Sequence, residues 1–182
     1  MVYIVLAQGF EEVEALAPYD ILHRGGVQVY LASADGEEYV QGGHGVTVKC
    51  HARVSDIKMS ETDMLVFPGG LAGVENLEKS EKAMDLMLEA YESGKFAAAI
   101  CAAPTLLAKL KITDGKKAVC YPGMEDKMGA ADMQAGAMAV RDGNVITGKA
   151  AASSFNFGFE LLEALSGSGA VEKVKKAICF EN

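Results

Sequence analysis

The sequence predicts an α/β fold with a mainly parallel sheet, and two observations carry that prediction. Short apolar runs of strand length alternate with amphipathic stretches along most of the chain. The runs are apolar at consecutive rather than alternate positions, the pattern of strands covered on both faces. Composition agrees: of 182 residues half are hydrophobic and 23% charged, and the 20 glycines have no period, as in a globular chain of single-domain length. Residues 1–182 are expected to form one domain.

The first run, residues 2–7, predicts a buried strand, and a helix is expected over 11–24, stopped by Gly25-Gly26. Pro18 lies inside that helix and cannot donate to the Glu14 carbonyl, so a kink is expected there. Residues 27–32 form the second apolar run. Segments 37–40 and 46–54 flank Gly42-Gly43 and read as a hairpin beside the main sheet. Runs 64–67 and 96–100 predict two more core strands. Between them, 80–93 places Met84, Met87, Leu88 and Tyr91 on one helical stripe ahead of Gly94. Residues 117–120 predict a fifth core strand, and 137–141 with 145–147, around Asp142-Gly143-Asn144, a second hairpin beside the sheet. Two helices close the pattern, 153–165 and 170–178, separated by Gly167-Ser168-Gly169.

Charge excludes one broad class of function. Seventeen Lys and Arg against 25 Asp and Glu leave a net charge of −8, which argues against nucleic-acid binding. Cys50, Cys101, Cys120 and Cys179 are widely spaced with no Cys-x-x-Cys, so a reducing compartment is expected rather than a disulfide framework. The first residues carry no basic segment, and no apolar stretch approaches the roughly 18 residues of a membrane span, so the expected location is cytoplasmic and away from membranes. Cys50-His51 is too few donors for zinc, and no metal is expected.

In an open parallel sheet, ligands bind beyond the carboxyl ends of the strands. Three such positions carry chemistry-bearing residues. In Ala99-Ile100-Cys101-Ala102-Ala103-Pro104 a strand runs through a thiol into a helix, with small residues two before and two after, as a sharp nucleophile elbow requires. A helix N-terminus favours thiolate, so the Cys101 pKa is expected below its reference of about 8.5. Phe67-Pro68-Gly69-Gly70 brings flexible backbone to the same rim, where amides of Gly69 and Gly70, with that of Ala102, can face a developing oxyanion. In Gly9-Phe10-Glu11-Glu12-Val13-Glu14, helical spacing puts Glu14 on one row with Phe10, Ala17 and Ile21. A carboxyl on that apolar face pairs or stays protonated, which makes Glu14 an acid/base candidate. Glu11 and Glu12 turn away and read as dipole partners of the first helical turn. None of the three histidines, His23, His44 and His51, follows a core strand.

These motifs together resemble the ThiJ/PfpI superfamily, in the branch of the parkinsonism-associated DJ-one protein and its bacterial relatives. The likeness continues through Tyr121-Pro122, Asp126-Lys127-Met128, Ser154-Phe155 and Leu162-Glu163-Ala164-Leu165, so it spans nearly the whole chain. The resemblance implies a flavodoxin-like sandwich, commonly a homodimer, with Cys101 as nucleophile, a protonated Glu14 as its partner, and Gly70 and Ala102 amides in an anion pocket. It also exposes a departure: Tyr121 stands where the DJ-one protein has a histidine before the proline that matches Pro122. In the same alignment His44 and Lys149 replace two arginines, which makes His44, Tyr121 and Lys149 candidate pocket residues. The expected function is a cofactor-independent, cysteine-dependent enzyme acting on reactive 2-oxoaldehydes or glycated groups through a hemithioacetal on Cys101. The alternative is an oxidative-stress sensor or redox-regulated chaperone that oxidises Cys101 without turnover.

Overall fold

A computed structural model describes residues 1–180. Seven strands form the central sheet in the order β10-β11-β7-β6-β1-β2-β5. From its middle outward these are β1 (Val2–Leu6), β2 (Val29–Ser33) and β5 (Ala52–Arg53) on one side, with β6 (Met64–Phe67), β7 (Phe96–Ile100), β11 (Val145–Gly148) and β10 (Ala139–Asp142) on the other. All pairs are parallel except β10 with β11. Chain order reverses direction across the sheet between β1 and β6, the place where an open sheet leaves a crevice at its carboxyl edge.

Each central strand is apolar at every position because each face has its own core. Val2, Ile4 and Leu6 of β1 pack with α1 (Glu12–Arg24), α5 (Ser154–Ser166) and α6 (Ser168–Ala177). Tyr3 and Val5, pointing the other way, pack with α2 (Leu71–Lys79), α3 (Glu81–Glu92) and α4 (Pro104–Lys109). The flavodoxin-like α/β sandwich with helices on both faces is therefore the observed architecture.

Helices α1 and α5 pack closely on one face of the sheet. At the contact of α1 and α5, a Cβ on Gly158 would lie 2.6 Å from Ile21 Cδ1 and 3.2 Å from the Pro18 Cα. Pro18 thus sits within an unbroken α1 and meets a glycine on the facing helix. Gly158→Ala is expected to cost about 1–3 kcal/mol, the range for overpacking a filled core. Urea unfolding checks it: the midpoint should fall at constant slope, and an unchanged midpoint would show that the seam has slack.

The structure departs from the sequence expectation at four elements. Residues 71–79 form α2, which no periodic apolar stripe announces because Gly73 interrupts it and only Val74 and Leu77 join it inside. Residues 117–120 are not a core strand; β8 (Lys117–Ala118) pairs only with β9 (Asp132–Met133), in a separate small sheet. The place beside β7 is taken by β11, and Val119 donates to the Thr147 hydroxyl instead of to a strand backbone. The hairpin of residues 137–147 accordingly belongs to the main sheet rather than beside it. In the early hairpin, β3 (Tyr39–Gln41) and β4 (Thr47–Lys49) do pair outside the main sheet, but residues 52–53 leave it to become the edge strand β5.

Candidate active site

Three strand ends converge at the carboxyl edge: β1 leads to the turn before α1, β6 to Pro68-Gly69-Gly70, and β7 to Cys101. Cys101 has φ 67°, a left-handed backbone that a side chain rarely adopts. The elbow is held from both sides, since the Cys101 N–H donates to Gly148 O at 2.9 Å and the Cys101 carbonyl accepts from Tyr121 N–H at 2.7 Å. Its thiol is half-buried.

Glu14 lies in the first turn of α1 and is fully buried. Its Oε2 accepts from Gly69 N–H at 2.9 Å, while Oε1 is buried with no partner of conventional geometry among the described residues. Burial raises the Glu14 pKa to about 7, opposed by interaction with the Cys101 side chain and by the Gly69 amide. Ahead of it, Glu11 caps α1, its Oε2 accepting from Glu14 N–H at 2.7 Å.

The thiol does not behave as its position before a helix predicts. Burial first, and then the neighbouring Glu14 carboxylate, push the Cys101 pKa up to about 12, while the Ala102 and Gly70 amides pull it down. The expectation of a depressed value fails because the thiol is buried, because the partner carboxyl carries charge of the same sign, and because α4 has only six residues and starts three positions on. Between about 7 and 12 the Cys101 and Glu14 pair therefore shares one proton and one negative charge.

The two glycines after β6 are needed for different reasons. A Cβ on Gly69 would lie 2.4 Å from Glu14 Oε2 and 2.7 Å from Cys101 Cβ, so only glycine fits between the pair. Gly70, at φ 88°, runs against the backbone of residues 9–11, where a Cβ would meet Gly9 O at 2.6 Å. The Gly69 amide is committed to Glu14; those of Gly70 and Ala102 face the sulfur.

The side chains of the remaining sequence candidates are held by other partners or exposed. His44 pairs with Glu12, Nδ1 to Oε2 at 2.8 Å, and its ring is exposed. Tyr121 meets Cys101 through its backbone, with an exposed ring. Lys149 Nζ donates to Ala135 O at 2.9 Å.

Glu12 corrects the reading of it as a solvent-facing dipole partner. It is buried, and its Oε1 accepts from the N–H groups of His44, at 2.7 Å, and Val46, at 3.4 Å, so it latches the β3–β4 turn onto α1. Burial works against its charge, yet these hydrogen bonds and the imidazole hold its pKa below the usual carboxylate value. The signal in the sequence was Gly42, where a Cβ would strike the Glu12 carboxyl at 2.4 Å. Glu11, Glu12 and His44 also hold donor atoms within 4.8 Å of one another, a spacing compatible with a cation; hydrogen bonds within the latch already account for it.

A doubly wound parallel sheet with a left-handed cysteine after a central strand defines an α/β protein of the cysteine-elbow class. A model of the DJ-1/PfpI family matches residues 1–164, and the chain belongs to that family. The Parkinson disease protein 7 homolog of Danio rerio is 33% identical over 182 residues, covering 98% of this chain and 96% of that protein. A Pyrococcus horikoshii protein named a deglycase is 33% identical over 165 residues, 90% of this chain and 98% of its own length. In three dimensions the crystal structure of Drosophila melanogaster DJ-1beta superposes with a TM-score of 0.94 at 31% identity, covering 100% of this chain and 98% of the other.

Proposed function

We propose that this protein is a cofactor-independent enzyme that converts reactive 2-oxoaldehydes, or the groups they have modified, to 2-hydroxy acids. One observation carries the reading: a half-buried thiol on a strained elbow has a buried carboxyl at one side and two backbone amides aimed at its sulfur. Family membership and the relative named a deglycase support it.

The chemistry follows from the shared proton. As Cys101 sulfur bonds to the aldehyde carbon of methylglyoxal, its proton passes to Glu14, and the carbonyl oxygen takes the charge beside the Gly70 and Ala102 amides. Glu14 hands that proton on to the oxygen, which gives the hemithioacetal and restores the carboxylate. Glu14 then removes the hydrogen on the former aldehyde carbon; the electron pair forms an enediol with the neighbouring carbonyl, and reprotonation of that neighbour leaves a thioester of lactate. Water cleaves the thioester, and the sum is methylglyoxal plus water to lactate. No external oxidant or reductant is consumed.

A second reading has its own observation. The buried, unpartnered Glu14 Oε1 could donate, when protonated, to an oxygen of an oxidised Cys101, as a redox sensor requires. Lactate assay of the purified protein with methylglyoxal and no glutathione separates the two. Turnover by wild type and its loss in Cys101→Ser is expected. No wild-type turnover, with a gain of two oxygens confined to Cys101 in mild peroxide, would sink the enzyme and favour the sensor.

The location and assembly expected from sequence belong to this proposal as well: a cytoplasmic homodimer. No described helix is long and apolar enough to cross a membrane.

A further inference from the structure

Glu11, Gly69 and Glu14 close a ring of hydrogen bonds beside the thiol. The Glu11 N–H donates to the Gly69 carbonyl at 2.9 Å, the Gly69 N–H donates to Glu14 Oε2 at 2.9 Å, and the Glu14 N–H donates to Glu11 Oε2 at 2.7 Å. Gly69 is also the residue with no room for a Cβ between Glu14 and Cys101, so the ring fixes the carboxyl relative to the thiol. The turn that carries it is pinned from its other side, where Gly9 N–H donates to Gln41 O and Gly43 N–H to Phe10 O, each at 2.8 Å. With that backbone held, the Glu11 carboxylate ties the first turn of α1, and Glu14 with it, to the frame. Capping alone does not call for a charge, since serine or asparagine satisfies the same N–H. What the half-buried Glu11 adds is a negative charge beside Glu14.

We propose that Glu11 is a positioning residue for the Cys101 and Glu14 pair: it closes the ring that fixes Glu14, and its charge opposes a second negative charge on the neighbouring carboxyl. The inference rests on Cys101 and Glu14 being the reacting pair and is independent of the aldehyde as substrate. The groups that act on Glu14 are Cys101 from the elbow, Glu11 from its own helix and the Gly69 amide from the turn after β6. Burial does most to raise the Glu14 pKa and Glu11 adds to the rise, while Cys101 and Gly69 oppose it. Removing the Glu11 charge therefore moves ionisation of Glu14 to lower pH.

Three variants separate the acceptor from the charge. Glu11→Asp keeps both, Glu11→Ser keeps an acceptor without charge, and Glu11→Ala keeps neither. The pH dependence of Cys101 alkylation by iodoacetamide, read by peptide mass spectrometry, follows the pair without requiring turnover. In wild type and Glu11→Asp the rate should rise through about pH 7, where Glu14 becomes able to take the thiol proton. In Glu11→Ser the midpoint of that rise should fall by about half a pH unit or more. In Glu11→Ala the rate at pH 8 should fall about tenfold while circular dichroism reports a folded protein. A midpoint in Glu11→Ser equal to that of wild type, or a wild-type rate in folded Glu11→Ala, would overturn the proposal. If Glu11→Ala does not fold, the comparison of Glu11→Ser with Glu11→Asp decides by itself. Absence of lactate formation by wild type, with these alkylation changes intact, would remove the aldehyde reading and leave the role of Glu11 standing.

Discussion

Glu14→Gln is expected to abolish lactate formation and, at the same time, to make the protein more stable at pH 8. The two effects share one cause. Burial raises the Glu14 pKa from 4.5 to about 7, so the folded state holds a proton there that the unfolded chain releases. A raised carboxyl pKa contributes its stability fully below about pH 4.5 and loses it as pH rises through about 7. Above that point the wild type carries a buried charge that costs on the order of 3 kcal/mol. Glutamine has nearly the shape of the protonated side chain, can accept from the Gly69 amide, and carries no charge. Urea titrations should therefore show the variant ahead by about 2–3 kcal/mol at pH 8 and level with wild type at pH 4. Equal stabilities at both pH values would mean that Glu14 is not held protonated by its surroundings. Activity runs the other way, because the carboxylate must accept the thiol proton: wild-type kcat/KM should climb through about pH 7, and the variant should show no such limb.

Gly69→Ala should cost activity heavily although it removes neither reacting group. Its methyl group would sit 2.4 Å from Glu14 Oε2 and 2.7 Å from Cys101 Cβ, so the acid and the nucleophile must move apart or the turn must shift. A displacement of about 1 Å at reacting groups is enough for a loss on the order of 100-fold. Both lactate formation and Cys101 alkylation should register the change, the first through geometry and the second through an altered thiol environment. Activity within threefold of wild type would show that the turn absorbs the methyl elsewhere and that the pair is not confined by this glycine.

The legibility of the fold in the sequence tracks how local its causes are. The central strands β1, β6 and β7 were readable because burial on both faces demands apolar residues at every position, and β2 departs from this only at its terminal Ser33. Likewise α3 announces itself with a stripe ending at Gly94, whose φ of 73° is the left-handed turn that a helix end favours. By contrast α2 was hidden: its few buried positions reflect a close approach to Phe10, where a Cβ on Gly73 would lie 2.7 Å from the Phe10 Cα. The run 117–120 misled because Ala118 and Cys120 are buried in a small satellite cluster and pair with no strand of the main sheet, and burial alone leaves the same apolar signature.

For the site the division is similar. Sequence alone determined that a cysteine flanked by small residues ends a core strand and that one carboxyl, Glu14, shares the apolar face of the first helix; periodicity and strand-end position are local properties of the chain. Only the tertiary structure decided the electrostatics, because they depend on what three distant segments place around the sulfur. It buried the Cys101 thiol and brought Glu14 beside it, and so reversed the expected direction of the thiol pKa. It gave the Gly69 amide to Glu14 and those of Gly70 and Ala102 to the sulfur. It buried Glu12 as the latch of a loop more than thirty residues away, with the exposed His44 ring as its partner.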